Sequence, residues 1–186
     1  MGRTYEGIDE RQAAWMQEQP VFFVATAPLA GEGHVNCSPK GNRREFLVTG
    51  ERQVMYLEQT GSGVETVAHL RENGRIVIMF CAFDGAPRIV RLHGRGRAVL
   101  ATDAEFADLQ ARFPGGQGTG VRSVVVVDVE RISDSCGYGV PLMPLQEHRR
   151  TMDEWASRKG ADGVREYWTQ NNSASIDGLA GVPAGS

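Results

Sequence analysis

The sequence is poor in cysteine and histidine. It has three cysteines and four histidines in 186 residues. The cysteines form no CxxC pair, and the histidines show no HxxxH or HExxH spacing. The sequence therefore predicts neither a disulfide framework nor a metal site. Unpaired thiols suit a reducing compartment, so we expect a cytoplasmic protein.

Long apolar runs and a strong charge of one sign are also missing. No run approaches the ~18 apolar residues that a membrane span needs, and residues 1–19 are too polar for a secretory signal. The formal net charge of −3 argues against nucleic acid as a partner, because domains that bind nucleic acid are usually basic. We therefore expect a globular protein that acts on a small molecule.

Strand-like segments are what the sequence has in abundance. Seven apolar or alternating runs are separated by short turns rich in Gly, Asp and Pro, at 21–27, 35–38, 44–48, 53–58, 75–83, 88–100 and 123–129. Helices are predicted at 9–19, 62–72, 103–113, 146–159 and 162–170. Strands in hairpin-like succession predict a mainly β fold with peripheral helices, in the form of a small antiparallel barrel. We expect one domain over residues 1–170 and a tail over 171–186.

Two short polar segments are expected at the ends of neighbouring elements. Ser38 and Lys40 stand at alternate positions of an extended segment, so both side chains can point the same way. Residues 61–63 read Gly-Ser-Gly, and Thr66 follows in the first turn of a helix, where anions are bound readily. The pair predicts a phosphate site for a phosphorylated cofactor. The alternatives are an exposed strand end and a simple N-cap at Ser62.

Two other features allow more than one interpretation. Arg91, His93, Arg95 and Arg97 alternate along one predicted strand. They indicate either a solvated face paired with carboxylates or a rim that attracts an acidic cofactor. Cys136 follows the four-valine strand, with no histidine nearby in the sequence. We expect it to be structural or to line a ligand site, with a reactive thiol as the alternative.

Four segments together resemble the pyridoxamine 5′-phosphate oxidase-like family, the FMN-binding split barrels. They are His34-Val-Asn-Cys-Ser-Pro-Lys-Gly41, Thr60-Gly-Ser-Gly-Val-Glu-Thr66, Arg75-Ile-Val-Ile-Met-Phe-Cys-Ala-Phe83 and Ser135-Cys-Gly-Tyr-Gly-Val-Pro141. The resemblance covers roughly residues 20–141. It implies a six-stranded antiparallel split β-barrel, a homodimer, and FMN in two clefts at the dimer interface. The cofactor-binding residues that it implies are Asn36, Ser38, Lys40, Tyr56, Leu57, Gly61, Ser62, Gly63 and Thr66.

The resemblance also implies an activity, that of an FMN-dependent oxidoreductase in which the protein positions and tunes the flavin. The implied phosphate contacts are Ser38, Lys40, Ser62, Gly63 and Thr66. Residues 56–57 lie on the strand that passes the flavin ring, and backbone N–H groups near Asn36 and Tyr56 are expected at the flavin edge.

Two departures separate the chain from true pyridoxamine 5′-phosphate oxidases. Gly-Ser-Gly replaces the Ser-Arg-Lys that begins their helix, and their C-terminal Arg-Leu-His-x-Arg motif occurs here in mid-chain, at residues 91–95. The substrate and the electron donor therefore stay open. The alternatives are an F420-dependent reductase on the same barrel, whose acidic cofactor the basic strand would suit, and a non-catalytic flavin or haem binder. We expect the tail, with Ile176 and Leu179, to help close the cofactor cleft.

Overall fold

The computed structural model describes residues 2–41, 43–114 and 118–183. Its strands are β1 (Thr4–Tyr5), β2 (Val21–Thr26), β3 (Asn36–Gly41), β4 (Phe46–Gly50), β5 (Gln53–Gln59), β6 (Arg75–Cys81), β7 (Ile89–Leu100) and β8 (Val121–Ser135). Seven of them follow the order β3-β2-β6-β7-β8-β5-β4, and β1 pairs with β8. All pairs are antiparallel. This is the mainly β split barrel predicted from the sequence, but the count of six strands is too low.

Packing of aromatic rings curls the sheet into a barrel. Phe22 of β2 contacts Phe46 of β4 and Tyr56 of β5, with ring centroids 5.3 and 5.5 Å apart. Phe80 of β6 completes the cluster. β2 lies near one end of the strand order, whereas β4 and β5 lie at the other. Burial of these rings in tilted and edge-to-face contacts therefore brings the two ends of the sheet together.

The two longest strands, β7 and β8, pair along almost their whole length. Their register shifts between His93 and Gly94. A Cβ atom on Gly94 would stand 2.1 Å from the carbonyl oxygen of Asp128. No side chain fits in that space, so the irregularity of this ladder requires glycine.

The helices pack around the barrel as α1 (Glu10–Glu18), α2 (Glu65–Glu72), α3 (Phe106–Gln110) and α4 (Thr151–Asn171). Asp9 and Gln12 form a capping box at the start of α1. Of the helices in the described ranges, none is both long and apolar enough to span a membrane.

Three predicted helix boundaries are wrong. α2 begins at Glu65 rather than at residue 62. α3 is shorter than predicted, since the Asp103 carboxylate accepts a hydrogen bond from the N–H of Leu100 and forms a turn there. The first of the two predicted C-terminal helices begins at Thr151 rather than at residue 146, whereas the predicted break between them is confirmed by non-helical backbone angles at Gly160, whose φ of 68° favours glycine.

Residues 172–183 run back over the start of α2. Ala174 and Ala180 form an antiparallel bridge, and Val182 is buried in a cluster with Val64, Val67 and Trp168. The C-terminal segment, by which we mean residues 172–183, therefore packs beside the loop that precedes α2.

Candidate functional site

A cleft of about 310 Å³ opens where β3, β5 and the start of α2 meet. Eight of the nine residues predicted from the sequence line it: Asn36, Ser38, Lys40, Leu57, Gly61, Ser62, Gly63 and Thr66. Alternation along β3 explains part of this arrangement. Asn36, Ser38 and Lys40 are half-buried, whereas the residues between them are exposed on the opposite face.

Tyr56 is the predicted residue whose side chain lies elsewhere. It is fully buried in the barrel core, and its hydroxyl has no hydrogen-bond partner within the described ranges. Burial raises the pKa of Tyr56 well above its ordinary value, and the charge of Glu58 raises it further while Arg122 opposes. Tyr56 is therefore a residue of the core and does not line the cleft.

A chain of hydrogen bonds fixes the wall of the cleft next to β3. The Ser38 hydroxyl donates to Asn36 Oδ1 over 2.7 Å. Asn36 Nδ2 in turn lies 3.0 Å from Thr66 Oγ1 and 3.1 Å from Thr26 Oγ1. The chain ends at His69 Nδ1, 2.9 Å from Thr26 Oγ1. Both ends of the Asn36 amide are thus engaged, and β3 is tied to α2.

The floor of the cleft is charged. Glu58 is 2% exposed, and its Oε1 accepts hydrogen bonds from Lys40 Nζ at 2.8 Å and from an Arg122 NH2 group at 3.1 Å. Arg122 is itself 1% exposed. Buried charges persist when they are paired. Two cations are therefore paired with a single carboxylate at the floor of the cleft.

Arg122 and Glu58 were missed by reasoning from the sequence. Both carried a signal, because each is a charged residue inside a strand whose neighbours are buried, β8 and β5 respectively. A charge in such a position is either paired or functional. The partner of each could not be read from the sequence.

Helix α2 begins beside these groups without a side-chain cap. Its N-cap residue is Val64, and no side chain caps the helix there. Ser62 was predicted as a possible N-cap, which is wrong, since it lies two residues earlier in the loop. A Cβ atom on Gly63 would lie 2.2 Å from Glu65 Oε2. The loop therefore passes close to the flexible end of the Glu65 side chain.

The C-terminal segment touches the same loop. The side chain of Asn172 donates to the carbonyl of Gly61 at 3.0 Å and accepts from Arg122 at 2.8 Å. Farther along, Asp177 bonds the ring and the backbone N–H of His34. These bonds from His34 lower the pKa of Asp177.

The basic strand β7 lies away from the cleft. Arg97 pairs with Glu105, and Arg95 Nε lies 3.5 Å from a Glu130 oxygen. Arg91 donates to Ser135. These contacts match the interpretation of a solvated face paired largely with carboxylates.

Cys136 is exposed and lines a different, larger cavity of about 870 Å³. Arg88 stacks over Trp15 in its wall, 5.0 Å from the ring centroid. No histidine of the described ranges lines this cavity. The arrangement agrees with a lining role for Cys136.

Comparison with known proteins identifies the family. The sequence profile described as Pyridoxamine 5'-phosphate oxidase matches residues 8–136. A pyridoxamine 5'-phosphate oxidase family protein of Aspergillus flavus, ustO, is 38% identical over 194 aligned residues, which cover 96% of this chain and 77% of ustO.

A solved structure shares the fold. A single-residue variant of HupZ from Group A Streptococcus is similar with a TM-score of 0.55 at 22% identity, and the match covers 69% of this chain and 99% of HupZ. The extent of the profile match and the identity to ustO decide the family. The chain belongs to the pyridoxamine 5′-phosphate oxidase family.

Proposed function

We propose that this chain is an FMN-dependent oxidoreductase that holds the flavin phosphate in the cleft between β3, β5 and α2. The observation that carries the proposal is the pair of cations, Lys40 and Arg122, beside the uncapped start of α2. Membership of a family named for an oxidase supports the same conclusion. The small-molecule substrate is not assigned.

The groups at the cleft fit a phosphate. At the floor, Lys40 and Arg122 exceed the charge of the buried Glu58 by one, and Arg122 Nε is buried without a partner in the part of the chain that the structure describes. Glu45 and Glu65 also line the cleft, and they accept hydrogen bonds from the Gln59 side chain and from the N–H of Ile176. The hydroxyls of Ser38 and Ser62 line the same space. The first N–H groups of α2 lack intrahelical acceptors and carry partial positive charge. An anion at this point would be stabilised by the two cations, the hydroxyls and these N–H groups.

FMN supplies the electron-transfer chemistry when it is bound. The residues of the chain bind and orient it. Lys40 and Arg122 would hold the phosphate, and Asn36, locked by its bonds to Ser38 and Thr66, would present a fixed polar group. Leu57, which is 1% exposed, stabilises the strand at the edge of the cleft by packing in an apolar cluster with Met55 and Val124.

A homodimer is part of the proposal. The outer face of β2 and β6 leaves Phe23, Val77 and Met79 half-exposed, and Val35 beside them is 73% exposed. A second copy would cover this face and complete an open cleft. The four valines Val124–Val127 are already buried within one chain, so they need no cover from a second copy. Light scattering should give the mass of two chains, and a single-chain mass at micromolar concentration would contradict the dimer.

Titration of the apoprotein with FMN tests the cofactor directly. We expect saturable quenching of flavin fluorescence at about one FMN per chain, and an oxidised flavin spectrum. A Soret band after loading with haem, together with no response to FMN, would favour a haem binder instead. The basic strand no longer supports the F420 alternative, because none of Arg91, His93, Arg95 and Arg97 lines the cleft. A protein that binds F420 but gives no response to FMN would favour that alternative.

The redox activity needs a separate measurement. The bound flavin should bleach anaerobically with a reduced nicotinamide and recover its colour with a generic electron acceptor. A flavin that binds tightly but that neither NADH nor NADPH reduces would favour a non-catalytic flavin-binding protein.

A further inference from the structure

Asn172 is the first residue after α4, and its side chain is completely buried. Its amide uses both of its chemical functions. Oδ1 accepts a hydrogen bond from Arg122 at 2.8 Å, while Nδ2 donates to the carbonyls of Gly61 at 3.0 Å and Ser62 at 3.4 Å. A carboxylate cannot donate and an ammonium cannot accept, so an amide is suited to this position.

Arg122 continues the same network on the far side of the loop. Its NH1 group also donates to the carbonyl of Gly63 at 2.9 Å, and its NH2 group bonds Glu58. The carbonyls of three consecutive residues, 61–63, therefore all face one buried network built from Asn172 and Arg122.

This arrangement determines where the N–H groups of the loop point. In a trans peptide the C=O of one residue and the N–H of the next point in opposite directions. Carbonyls of residues 61–63 that face the network thus direct the N–H groups of residues 62–64 away from it. None of these three N–H groups donates to a protein acceptor within the described ranges. Successive backbone N–H groups without protein acceptors are the groups from which anion-binding concavities are built.

We propose that Asn172 is a positioning residue, which orients the loop 61–63 and Arg122 for the cofactor phosphate and so couples the C-terminal segment to phosphate binding. The inference rests on the proposed function. Asn172 does not line the cleft. It acts through Arg122 and the loop carbonyls.

Other contacts hold the C-terminal segment in place when the Asn172 side chain is removed. The backbone of Asn172 bonds to Trp168 and Val182. Trp168 Nε1 donates to Thr60 Oγ1 at 2.8 Å, and Arg71 bonds the carbonyl of Gly181. Asn172→Ala is therefore expected to fold, and the hydrogen bonds that it loses are those to Arg122 and to the loop carbonyls.

The test compares FMN with riboflavin, which lacks the phosphate, on the full-length chain. Asn172→Ala should weaken FMN binding about tenfold, because Arg122 and the loop N–H groups would no longer be held in place for hydrogen bonds to the charged phosphate. Riboflavin has no phosphate, so its affinity should stay nearly unchanged. Asn171→Ala is the matched control, since among the described residues its exposed side chain bonds only the carbonyl of Tyr167 within α4. Equal losses for the two ligands, or no loss, would overturn the inference.

The wild-type chain separates the two possible failures. If it binds FMN no better than riboflavin, the proposed phosphate site itself is wrong. If it prefers FMN and Asn172→Ala keeps that preference, the site stands and the role of Asn172 is wrong.

Hydrogen exchange on the wild-type chain tests the coupling without any substitution. FMN should slow exchange of the Gly181 and Val182 amides, whose acceptors lie in residues 172–173. Riboflavin should slow them much less. The same protection by both ligands, or by neither, would show that phosphate binding does not reach the C-terminal segment.

Discussion

At the scale of single residues, the chemistry of the cleft depends on a buried carboxylate, Glu58. It holds the ammonium of Lys40 and the guanidinium of Arg122 on one oxygen, Oε1, while Oε2 has no partner within the described residues. The pairing keeps two cations in fixed positions before any ligand arrives. Preorganised charges of this kind avoid the reorganisation that binding would otherwise require.

Lys40 should contribute to affinity through the phosphate alone. Lys40→Ala should weaken FMN by about 10- to 100-fold and riboflavin far less, because a hydrogen bond to a charged group contributes roughly 1.5–3 kcal/mol. The control is Lys159→Ala, since Lys159 is the only other lysine of the sequence and lies on α4. Fluorescence titration with both ligands checks this. A similar loss for the two flavins would mean that Lys40 does not contact the phosphate.

Arg122 should contribute to stability as well as to binding. Arg122→Met leaves the buried Glu58 with one cation fewer, and breaking a buried pair costs about 3–5 kcal/mol. The double variant Glu58→Gln/Arg122→Met removes both buried charges and should recover part of that loss, because Lys40, which loses its partner as well, is 18% exposed and can be solvated. Urea unfolding of the three proteins measures the effect. A double variant less stable than Arg122→Met would show that the broken pair with Glu58 does not cause the loss of stability in Arg122→Met.

At the scale of secondary-structure elements, the ladder between β7 and β8 sets the shape of the barrel. It pairs twelve residues of β7 with β8 and contains one register shift. Beside it, β8 pairs with β5, which places Arg122 of β8 on the floor next to Glu58. The register of these strands therefore determines whether the charged group can form.

Gly94→Ala tests that ladder. The added methyl would stand 2.1 Å from the carbonyl oxygen of Asp128, so the strands must separate locally. We expect a loss of about 1–3 kcal/mol in the free energy of unfolding, as for other overpacked sites. Gly139→Ala is the control, because nothing lies within 4 Å of its added methyl. Chemical denaturation that ranks the two variants equally would refute the steric argument.

At the scale of the whole molecule, the hydrogen-bond chain behind the cleft links β3, β2 and α2. It runs from Ser38 through Asn36 and Thr26 to the buried ring of His69. Burial lowers the pKa of His69, while the charges of Asp177, Glu65 and Glu72 oppose the change. The protonation of one ring is therefore coupled to the assembly of three elements.

Stability should fall in mild acid for this reason. The unfolded chain protonates His69 near pH ~6.5, and the folded chain does so only at lower pH. Between these values the unfolded state binds more protons, so the free energy of unfolding falls as pH decreases below ~6.5 and is unaffected by this group above it. Urea unfolding of wild type and His69→Asn at several pH values checks this.

The variant should have a shallower decrease in stability than wild type over that range. His93, whose pKa is also lowered by burial and by Arg131 and Arg91, adds a decrease of the same sign. Urea unfolding of His93→Asn over the same pH range therefore measures how much of the decrease in stability comes from His93. Parallel curves for wild type and His69→Asn would exclude the contribution of His69.

The sequence by itself determined the fold class and most strands. Local rules also apply at the cleft, since alternation along β3 puts Ser38 and Lys40 on one face and glycines mark the loop before α2. The family resemblance supplied most of the nine predicted residues, of which the structure brings eight together at one cleft. The start of α2 and the length of α3 escaped prediction, because competing turns such as that at Asp103 decide them.

Only the tertiary structure decided how the site is held together. Arg122 bonds Glu58 across 64 positions of the chain and Asn172 across 50. The periodicity of apolar residues along the sequence does not predict such partners, because these contacts depend on the order and register of the strands. The burial of both charges also depends on the closed barrel, since a charge is paired in this way only where water has been excluded.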